Sequence, residues 1–220
     1  MRISPVSLNF NNINETFSGR KTKNRQFFDT TEMINAKSTN NIPDTFVKRD
    51  DKYAKAYSAL IKKAYFEARE EDGDQTPIKS TDIKFLLDIK DYDKFKAIIT
   101  TPVIIPTKNN GIKIESIFFY TDADATRQLA RKLNKNGDRE LLKSLLMKKT
   151  GYNNNTVFHK MAEGDNIKKT RALQDNLSVK EFKRFMKIKN YSYDTPYSLA
   201  QENNGNLEKL LRPLFAEDNR

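Results

Sequence analysis

Two stretches of the sequence decide the fold. Residues 156–166 read TVFHKMAEGDN, and residues 195–208, which begin 39 positions later, read TPYSLAQENNGNLE. Each begins with a threonine whose hydroxyl can cap a helix, continues with apolar residues, and reaches a glycine within about three turns of helix. We therefore predict that each stretch forms a short helix followed by a reversal of the chain.

The order of residues in both stretches has a physical reason. Pro196 stands at the first helical position, where no backbone donor is needed, and Thr156 and Thr195 precede that position as caps. Large apolar side chains then pack inward, while alanines let a neighbouring helix come close. Gly164 and Gly205 are predicted to end the helices in the left-handed conformation, because glycine lacks the Cβ atom that disfavours it.

Position by position, both stretches resemble the ankyrin-repeat pattern T-P-L-H-x-A-A-x-x-G-H. A fainter echo is TDIKFL at residues 81–86, and GDRELL at residues 137–142 is similar to the start of an ankyrin second helix. The resemblance covers residues 80–213 and is strongest in 150–212. It implies a mainly α fold, a helix-turn-helix repeat solenoid of ankyrin type, with a generic α-helical repeat array as the alternative.

The resemblance is incomplete at two kinds of position. Where the pattern has a glycine two residues before the threonine, this chain has Asn154 in one unit and Tyr193 in the other. Asparagine tolerates positive φ, whereas tyrosine does so poorly. The third unit, which pairs a helix from Thr156 with one at 179–187, also carries an apparent insertion at 167–177.

The rest of the chain divides by composition and periodicity. Residues 1–45 are predicted to be a disordered tail, 46–75 to hold an N-terminal capping helix, and 76–220 to form the repeat array. Other predicted helices cover about 81–87, 92–99, 122–133, 138–149, 195–202 and 207–214. Residues 103–105 and 112–114 are β-prone, and Asn110-Gly111 is a strong turn signal, so a short β-hairpin is expected between the first two helix pairs.

Little in the sequence indicates catalysis. The chain has no cysteine and a single histidine, His159, which excludes thiolate sites and disfavours a zinc site. The ankyrin resemblance implies that His159 bonds to the backbone of the adjacent turn. Asp122 and Asp124 are interpreted as helix N-terminal acids, and no glycine-rich phosphate loop occurs. We expect no enzyme, no cofactor and no catalytic or metal-binding residue, although an unrecognised carboxylate enzyme stays open.

The charge is strongly and unevenly positive. The net charge is +11, and residues 111–190 hold 18 lysines and arginines against 9 acidic residues. Such a field favours an acidic partner, which could be a protein, a nucleic acid or a membrane surface. Candidate basic-patch residues are Lys143, Lys148, Lys149, Lys168, Lys169, Arg171, Lys183, Arg184, Lys187 and Lys189. The alternative interpretation of these residues is an ordinary solvated helix face. Val179, Phe182, Phe185 and Met186 form an apolar stripe among these charges.

These observations favour a non-enzymatic protein-interaction module, with a protein partner of acidic surface. In ankyrin-like arrays the hairpin tips and first helices form the binding surface, which here implies contacts by Asn109, Tyr152, Asn153, Asn154, Tyr191 and Tyr193. The alternative is a nucleic-acid-binding protein that uses residues 111–190. No apolar stretch reaches the length of a membrane helix, so membrane insertion is not expected. A cytoplasmic location, or export as an effector without a classical signal peptide, fits the N-terminus.

Overall fold

The computed structural model describes residues 51–70, 78–106 and 112–216. The predicted tail at 1–45, the candidate Asn109 and the turn at Asn110-Gly111 lie outside these ranges. So do the first and last residues of the predicted capping segment at 46–75.

The described residues are mainly helical and include one small antiparallel sheet. The helices are α1 Lys52–Glu70, α2 Lys84–Leu87, α3 Tyr92–Thr100, α4 Ala123–Lys135, α5 Arg139–Met147, α6 Val157–Glu163, α7 Ile167–Gln174, α8 Val179–Phe185, α9 Pro196–Asn203 and α10 Asn206–Phe215. A 3₁₀ turn covers Ile117–Phe119, and the strands are β1 Val103–Ile105 and β2 Ile112–Ile114. These elements share one continuous apolar core.

The first helix and the hairpin form one end of this core. Helix α1 buries Tyr57, Ile61 and Ala64, which lie on the face that the sequence predicts, and it contacts α2, α3 and β1. Strands β1 and β2 pair antiparallel with Val103 opposite Ile114, so the predicted hairpin is confirmed. Alternation along β1 buries Val103 and Ile105 and leaves Ile104 exposed.

Three capping residues mark a regular spacing along the chain. Ser116, Thr156 and Thr195 precede the 3₁₀ turn, α6 and α9, and they stand 40 and 39 residues apart. The 3₁₀ turn contacts α6, and α6 packs closely against α9. Residues that follow equivalent caps therefore lie side by side in one row of the structure.

A second row runs beside the first. Helix α7 packs against both α4 and α10, and α4 also contacts α2. The helix that comes after α6 in the sequence and belongs to the second row is therefore α7, at Ile167–Gln174, in the segment that the sequence suggests is an insertion. The predicted pairing of the Thr156 helix with the helix at 179–187 is wrong, because α7 supplies the buried side chains Ala172 and Leu173 next to α6.

Helix α8 follows α7 in the sequence and packs against both α7 and α6. Its Phe182 and Phe185 are buried against Phe158 of α6, with ring centroids 5.9 and 5.2 Å apart. Both aromatic residues thus belong to the core, as their spacing predicts. Val179 does not belong to the apolar stripe, because it is 57% exposed at the first position of α8.

The helix ends differ from expectation in one respect. Gly137 after α4 has a φ of 76°, but Gly164 and Gly205 have φ values of −93° and −88°. The left-handed residues are instead Asp165, with φ 46°, and Asn204, with φ 45°. Aspartate and asparagine adopt this conformation more readily than other non-glycine residues, because their short polar side chains can bond locally.

Candidate interaction surface

Two tight turns lie side by side, one before α6 and the other before α9. The first turn covers 150–155 and is closed by reciprocal backbone hydrogen bonds between Thr150 and Asn155, at 2.9 and 3.0 Å. The second turn covers 190–194, where the Asn190 N–H donates to the Asp194 carbonyl at 3.0 Å. We refer to these two segments together as the turn surface.

The two turns are bonded to each other. The Tyr191 N–H donates to the Asn153 carbonyl at 2.9 Å. Beneath this contact, the buried Asn190 amide donates to the Asn155 side-chain oxygen at 2.9 Å, and the Asn155 amide donates to Glu163 at 2.6 Å. Because these amides are paired in the interior, they fix the relative position of the two turns.

His159 adds a third connection between the turns. Its ring is buried, Nδ1 accepts the Thr156 N–H at 3.1 Å, and Nε2 lies 3.1 Å from the Asp194 carbonyl. With Nδ1 as acceptor, the proton is on Nε2 and is donated to Asp194. Burial lowers the pKa of His159, which favours this neutral form. His159 therefore bonds to the backbone of the adjacent turn, as the resemblance implies, and both ring nitrogens are occupied.

The outer side of the turn surface is aromatic. Tyr152, Tyr191 and Tyr193 are 98%, 70% and 78% exposed, and Asn153 is exposed between them. Asn154 is half-buried and has a φ of 56°. The structure thus places five of the predicted partner-binding residues on two adjoining turns.

Tyr193 is held in an unfavourable backbone conformation. Its φ is 65°, in the left-handed region where a bulky residue costs about 1–2 kcal/mol. Its side chain is exposed, so packing in the described residues does not offset this cost. The Lys189 ammonium lies 5.9 Å from the ring centroid. Strain that is kept at an exposed aromatic residue is typical of binding sites.

The predicted basic patch is divided by the structure. Lys149, Lys168, Arg171, Arg184, Lys187 and Lys189 are exposed. Lys143 pairs with Glu140 and with Glu181, and Lys148 lies 3.8 Å from Glu115. Lys183 is half-buried, with its ammonium 5.8 Å from the Phe215 ring centroid. The ten candidates are distributed over α5, α7, α8 and the segments that follow α5 and α8.

Lys169 does not belong to any surface patch. It is only 5% exposed, and its ammonium donates to the Phe118 carbonyl at 2.6 Å. Burial lowers its pKa from 10.5 to about 7. The prediction that Lys169 belongs to the basic patch is wrong, because the sequence does not distinguish two adjacent lysines. Lys168 faces solvent, whereas Lys169 faces the 3₁₀ turn.

The acidic residues that the sequence singles out have structural roles. Asp122 accepts the Ala125 N–H at 2.7 Å and caps α4, and Asp124 pairs with Arg127. Asp138 accepts the Tyr92 hydroxyl at 3.1 Å and the Lys96 ammonium at 2.8 Å. Among the described residues no three histidine or acidic side chains are grouped as a metal site would require. Within the same ranges no helix is both long and apolar enough to span a bilayer.

Sequence reasoning missed several residues that build this surface. Asn155 and Asn190 connect the two turns from inside, and Ser116 opens the first row at the same spacing as the two threonines. A search for small hydroxyl residues followed by apolar ones at a period near 40 would have found SIFF at 116–119 beside TVFH at 156–159. Nothing in the sequence distinguishes Asn155 from the two asparagines before it.

The chain was compared with known proteins in three ways. No protein-family model, no curated protein sequence and no solved structure matches it.

Proposed function

We propose that this chain is a non-enzymatic protein-interaction module, built from degenerate ankyrin-like repeats, whose partner binds the turn surface. The observation that carries the proposal is the set of three exposed tyrosines on two turns that are bonded to each other. Tyrosine offers a large contact area at low entropic cost, and asparagine adds adaptable hydrogen bonds. Exposed aromatic residues on a rigid scaffold are a pattern that favours recognition.

The repeat interpretation rests on the caps and on the two rows of elements. Equivalent caps at Ser116, Thr156 and Thr195 recur at 40 and 39 residues, and equivalent helices lie next to each other. The ankyrin resemblance implies that the turns before the first helices of the units form part of the binding surface. The extra helix α8 departs from a two-helix unit, so the array is proposed as a degenerate one.

The flanking charges favour an acidic partner protein. Lys149 and Lys189 are exposed at the ends of the segments that lead into the two turns, and the Lys149 ammonium lies 3.5 Å from the Lys189 carbonyl. These two charges and the three tyrosines form a surface on which carboxylates and apolar side chains of a partner can bind together. Electrostatic attraction of this kind mainly raises the association rate.

The test is an affinity purification from native lysate with the whole chain, its Y152S/Y191S variant and the variant F66S. Phe66 is 49% exposed on α1, so F66S is a control for the replacement of an exposed aromatic residue by serine away from the turn surface. We expect a defined protein to be retained by the parent and by F66S and to be lost from Y152S/Y191S. Each sample is divided, and one half is treated with nuclease.

Two outcomes would contradict the proposal. Retention of the same proteins by all three chains would mean that the tyrosines do not form the binding surface. Recovery of nucleic acid, with loss of all bound protein after nuclease treatment, would instead favour the exposed charges of α7 and α8, which include Lys168, Arg171 and Arg184.

A further inference from the structure

A second concave region, which the turn surface does not include, lies where α2 and α3 approach α4. It is an open cleft of about 400 Å³. Leu87, Ile89 and Tyr92 line it on one side, and Arg131, Lys132 and Lys135 line it on the other. This volume is within the range of pockets that hold small molecules.

Three cations of the cleft form no salt bridge within the part of the chain that the structure describes. Lys90, Arg131 and Lys135 are exposed, and none of the three pairs with a carboxylate in residues 51–70, 78–106 or 112–216. Arg131 and Lys135 stand four positions apart on α4, so they project from the same face of that helix. Three cations that converge on one cleft without acidic partners create a positive potential there.

A fourth cation, Lys132, has a structural role instead. Its ammonium donates to the carbonyls of Leu87 and Ile89 at 2.7 and 2.8 Å and lies 4.5 Å from the Phe95 ring centroid. These contacts fix the C-terminal end of α2 and so form the floor of the cleft. Burial lowers the pKa of Lys132, and the Asp88 carboxylate partly opposes that change.

The acidic residues around the cleft leave its charge positive. Asp138 lies close to Tyr92, but it already accepts the Tyr92 hydroxyl and the Lys96 ammonium, at 3.1 and 2.8 Å. Asp88, Asp91 and Asp93 also flank this segment in the sequence, but no carboxylate is among the residues that line the cleft, and Asp91 accepts the Lys94 N–H at 3.1 Å as the cap of α3. The apolar side of the cleft, formed by Leu87, Ile89 and the Tyr92 ring, adds a surface on which a planar or apolar group can pack.

We propose that this cleft binds a small organic phosphate, with the phosphate held by Lys90, Arg131 and Lys135. The guanidinium of Arg131 can donate two parallel hydrogen bonds to phosphate oxygens, and the two lysines add compact charges. The organic part packs on Leu87, Ile89 and Tyr92. This ligand is independent of the protein partner proposed above, since no residue is shared between the cleft and the turn surface.

The proposal is tested by calorimetric titration of the full chain with ADP, inorganic pyrophosphate and adenosine as probes. We expect ADP to bind more tightly than pyrophosphate, because it also buries an apolar base, and adenosine not to bind. We expect R131Q/K135Q to weaken ADP binding by at least about tenfold. The matched control is K180Q/R184Q, which removes the same two charge types four positions apart on α8, where both side chains are exposed.

A second experiment distinguishes a free phosphate from a lipid headgroup. The chain is sedimented with phosphatidylcholine vesicles that contain or lack phosphatidic acid. If the chain sediments only with vesicles that contain phosphatidic acid, and R131Q/K135Q loses this binding while K180Q/R184Q keeps it, the cleft binds the phosphate of a lipid headgroup. If the chain binds ADP but does not sediment with the vesicles, the cleft binds a free organic phosphate.

Three results would overturn the proposal. One is the absence of ADP and pyrophosphate binding at about 1 mM ligand in low salt together with no sedimentation on phosphatidic acid. Another is equal loss of binding in the two double variants, which would assign binding to the overall charge of the protein. The third is equal affinity for ADP and pyrophosphate, which would exclude any contribution from the apolar side of the cleft.

Discussion

At the scale of single residues, the most unusual group is the ammonium of Lys169. It lies in the interior with the Phe118 carbonyl as its hydrogen-bond acceptor, and the Asp122 carboxylate is the charged group that raises its pKa against the effect of burial. A buried ammonium with one neutral acceptor loses more solvation than this contact returns. The folded protein therefore holds this proton weakly, with a pKa of about 7.

Replacement of this lysine should stabilise the protein. We expect K169M to raise the free energy of unfolding by about 2 kcal/mol near pH 6, because a packed apolar side chain replaces a buried charge. The Phe118 carbonyl keeps the Thr121 hydroxyl as a donor, at 3.5 Å. Urea denaturation measures the effect, and K168M, which changes an exposed neighbour, should be close to neutral.

The pH dependence of this effect has a definite direction. The unfolded chain keeps Lys169 near its ordinary pKa of 10.5, whereas the folded pKa is about 7. Between these values the unfolded state binds more protons, so this residue makes the free energy of unfolding rise with pH. We expect the advantage of K169M over the parent to shrink steadily from about pH 7 to about pH 9. An advantage that does not change with pH would show that Lys169 is not buried.

The strained tyrosine gives a prediction that separates binding from folding. We expect Y193G to raise the free energy of unfolding by about 1 kcal/mol, because glycine adopts the left-handed conformation without steric cost. The same change at Tyr191, which is exposed but does not have a positive φ, should lower it. Y193G should nevertheless lose part of its affinity for the partner, because the exposed tyrosine side chain is removed. A variant that is less stable than its parent would refute the role of strain.

At the scale of elements, the start of α10 depends on a residue from the preceding unit. The Asp165 carboxylate accepts the N–H groups of Asn206 and Leu207 at 3.0 and 2.6 Å. A Cβ atom on Gly205 would lie only 2.7 Å from the Asp165 side chain. Gly205 is therefore required because the Asp165 carboxylate lies close to its Cα atom. The sequence instead predicts a left-handed conformation for Gly205, and this prediction is wrong because its φ is −88°.

This contact predicts a graded series of variants. D165A should lower the free energy of unfolding by about 1–2 kcal/mol, since two N–H groups lose their acceptor and the helix dipole loses its anion. D165N keeps one side-chain oxygen and should cost less. G205A should cost at least as much as D165A, because its Cβ displaces the carboxylate. Thermal unfolding ranks the three, and equal stability of G205A and the parent would contradict the proposed packing.

Periodicity predicted the elements well where the amphipathic pattern is local. Helices α1, α4 and α9, the hairpin of β1 and β2, and the cap at Asp122 follow from residues that are close in sequence. The helix that pairs with α6 was predicted wrongly, because the sequence of α7 is short and polar. Its buried residues show no clear apolar period; they are Lys169, Thr170, Ala172 and Leu173. Its burial is set by α4 and α10, which no local pattern records.

At the scale of the whole molecule, the repeat proposal predicts partial independence of the units. Ending the chain after Thr195 removes α9 and α10 and uncovers one side of α6 and α7. It keeps the Asp194 peptide carbonyl that accepts from His159. In a one-dimensional array each unit depends mainly on its neighbours. We therefore expect the shortened chain to remain helical and to unfold cooperatively at lower urea concentration with a smaller m-value.

Circular dichroism and urea denaturation of the shortened chain test this expectation. Loss of helical signal throughout the chain, and not only in proportion to the residues removed, would indicate one indivisible core. In that case the ankyrin-like interpretation of the fold would be abandoned, while the turn surface could still be tested by its tyrosine variants.

The sequence by itself determined the mainly helical class, the hairpin and two of the three capping positions, because each depends on local spacing or on a motif within a few residues. The contact of His159 with the Asp194 carbonyl, 35 positions away, was implied only by the ankyrin resemblance. Only the tertiary structure decided that Lys169 is buried and Lys168 is not, that α7 and not α8 packs between α4 and α10 in the second row, and that Arg131 and Lys135 join Lys90 at one cleft. The physical reason is the same in each case. Burial and convergence of charge depend on which elements pack together, and that packing joins residues about 40 or more positions apart.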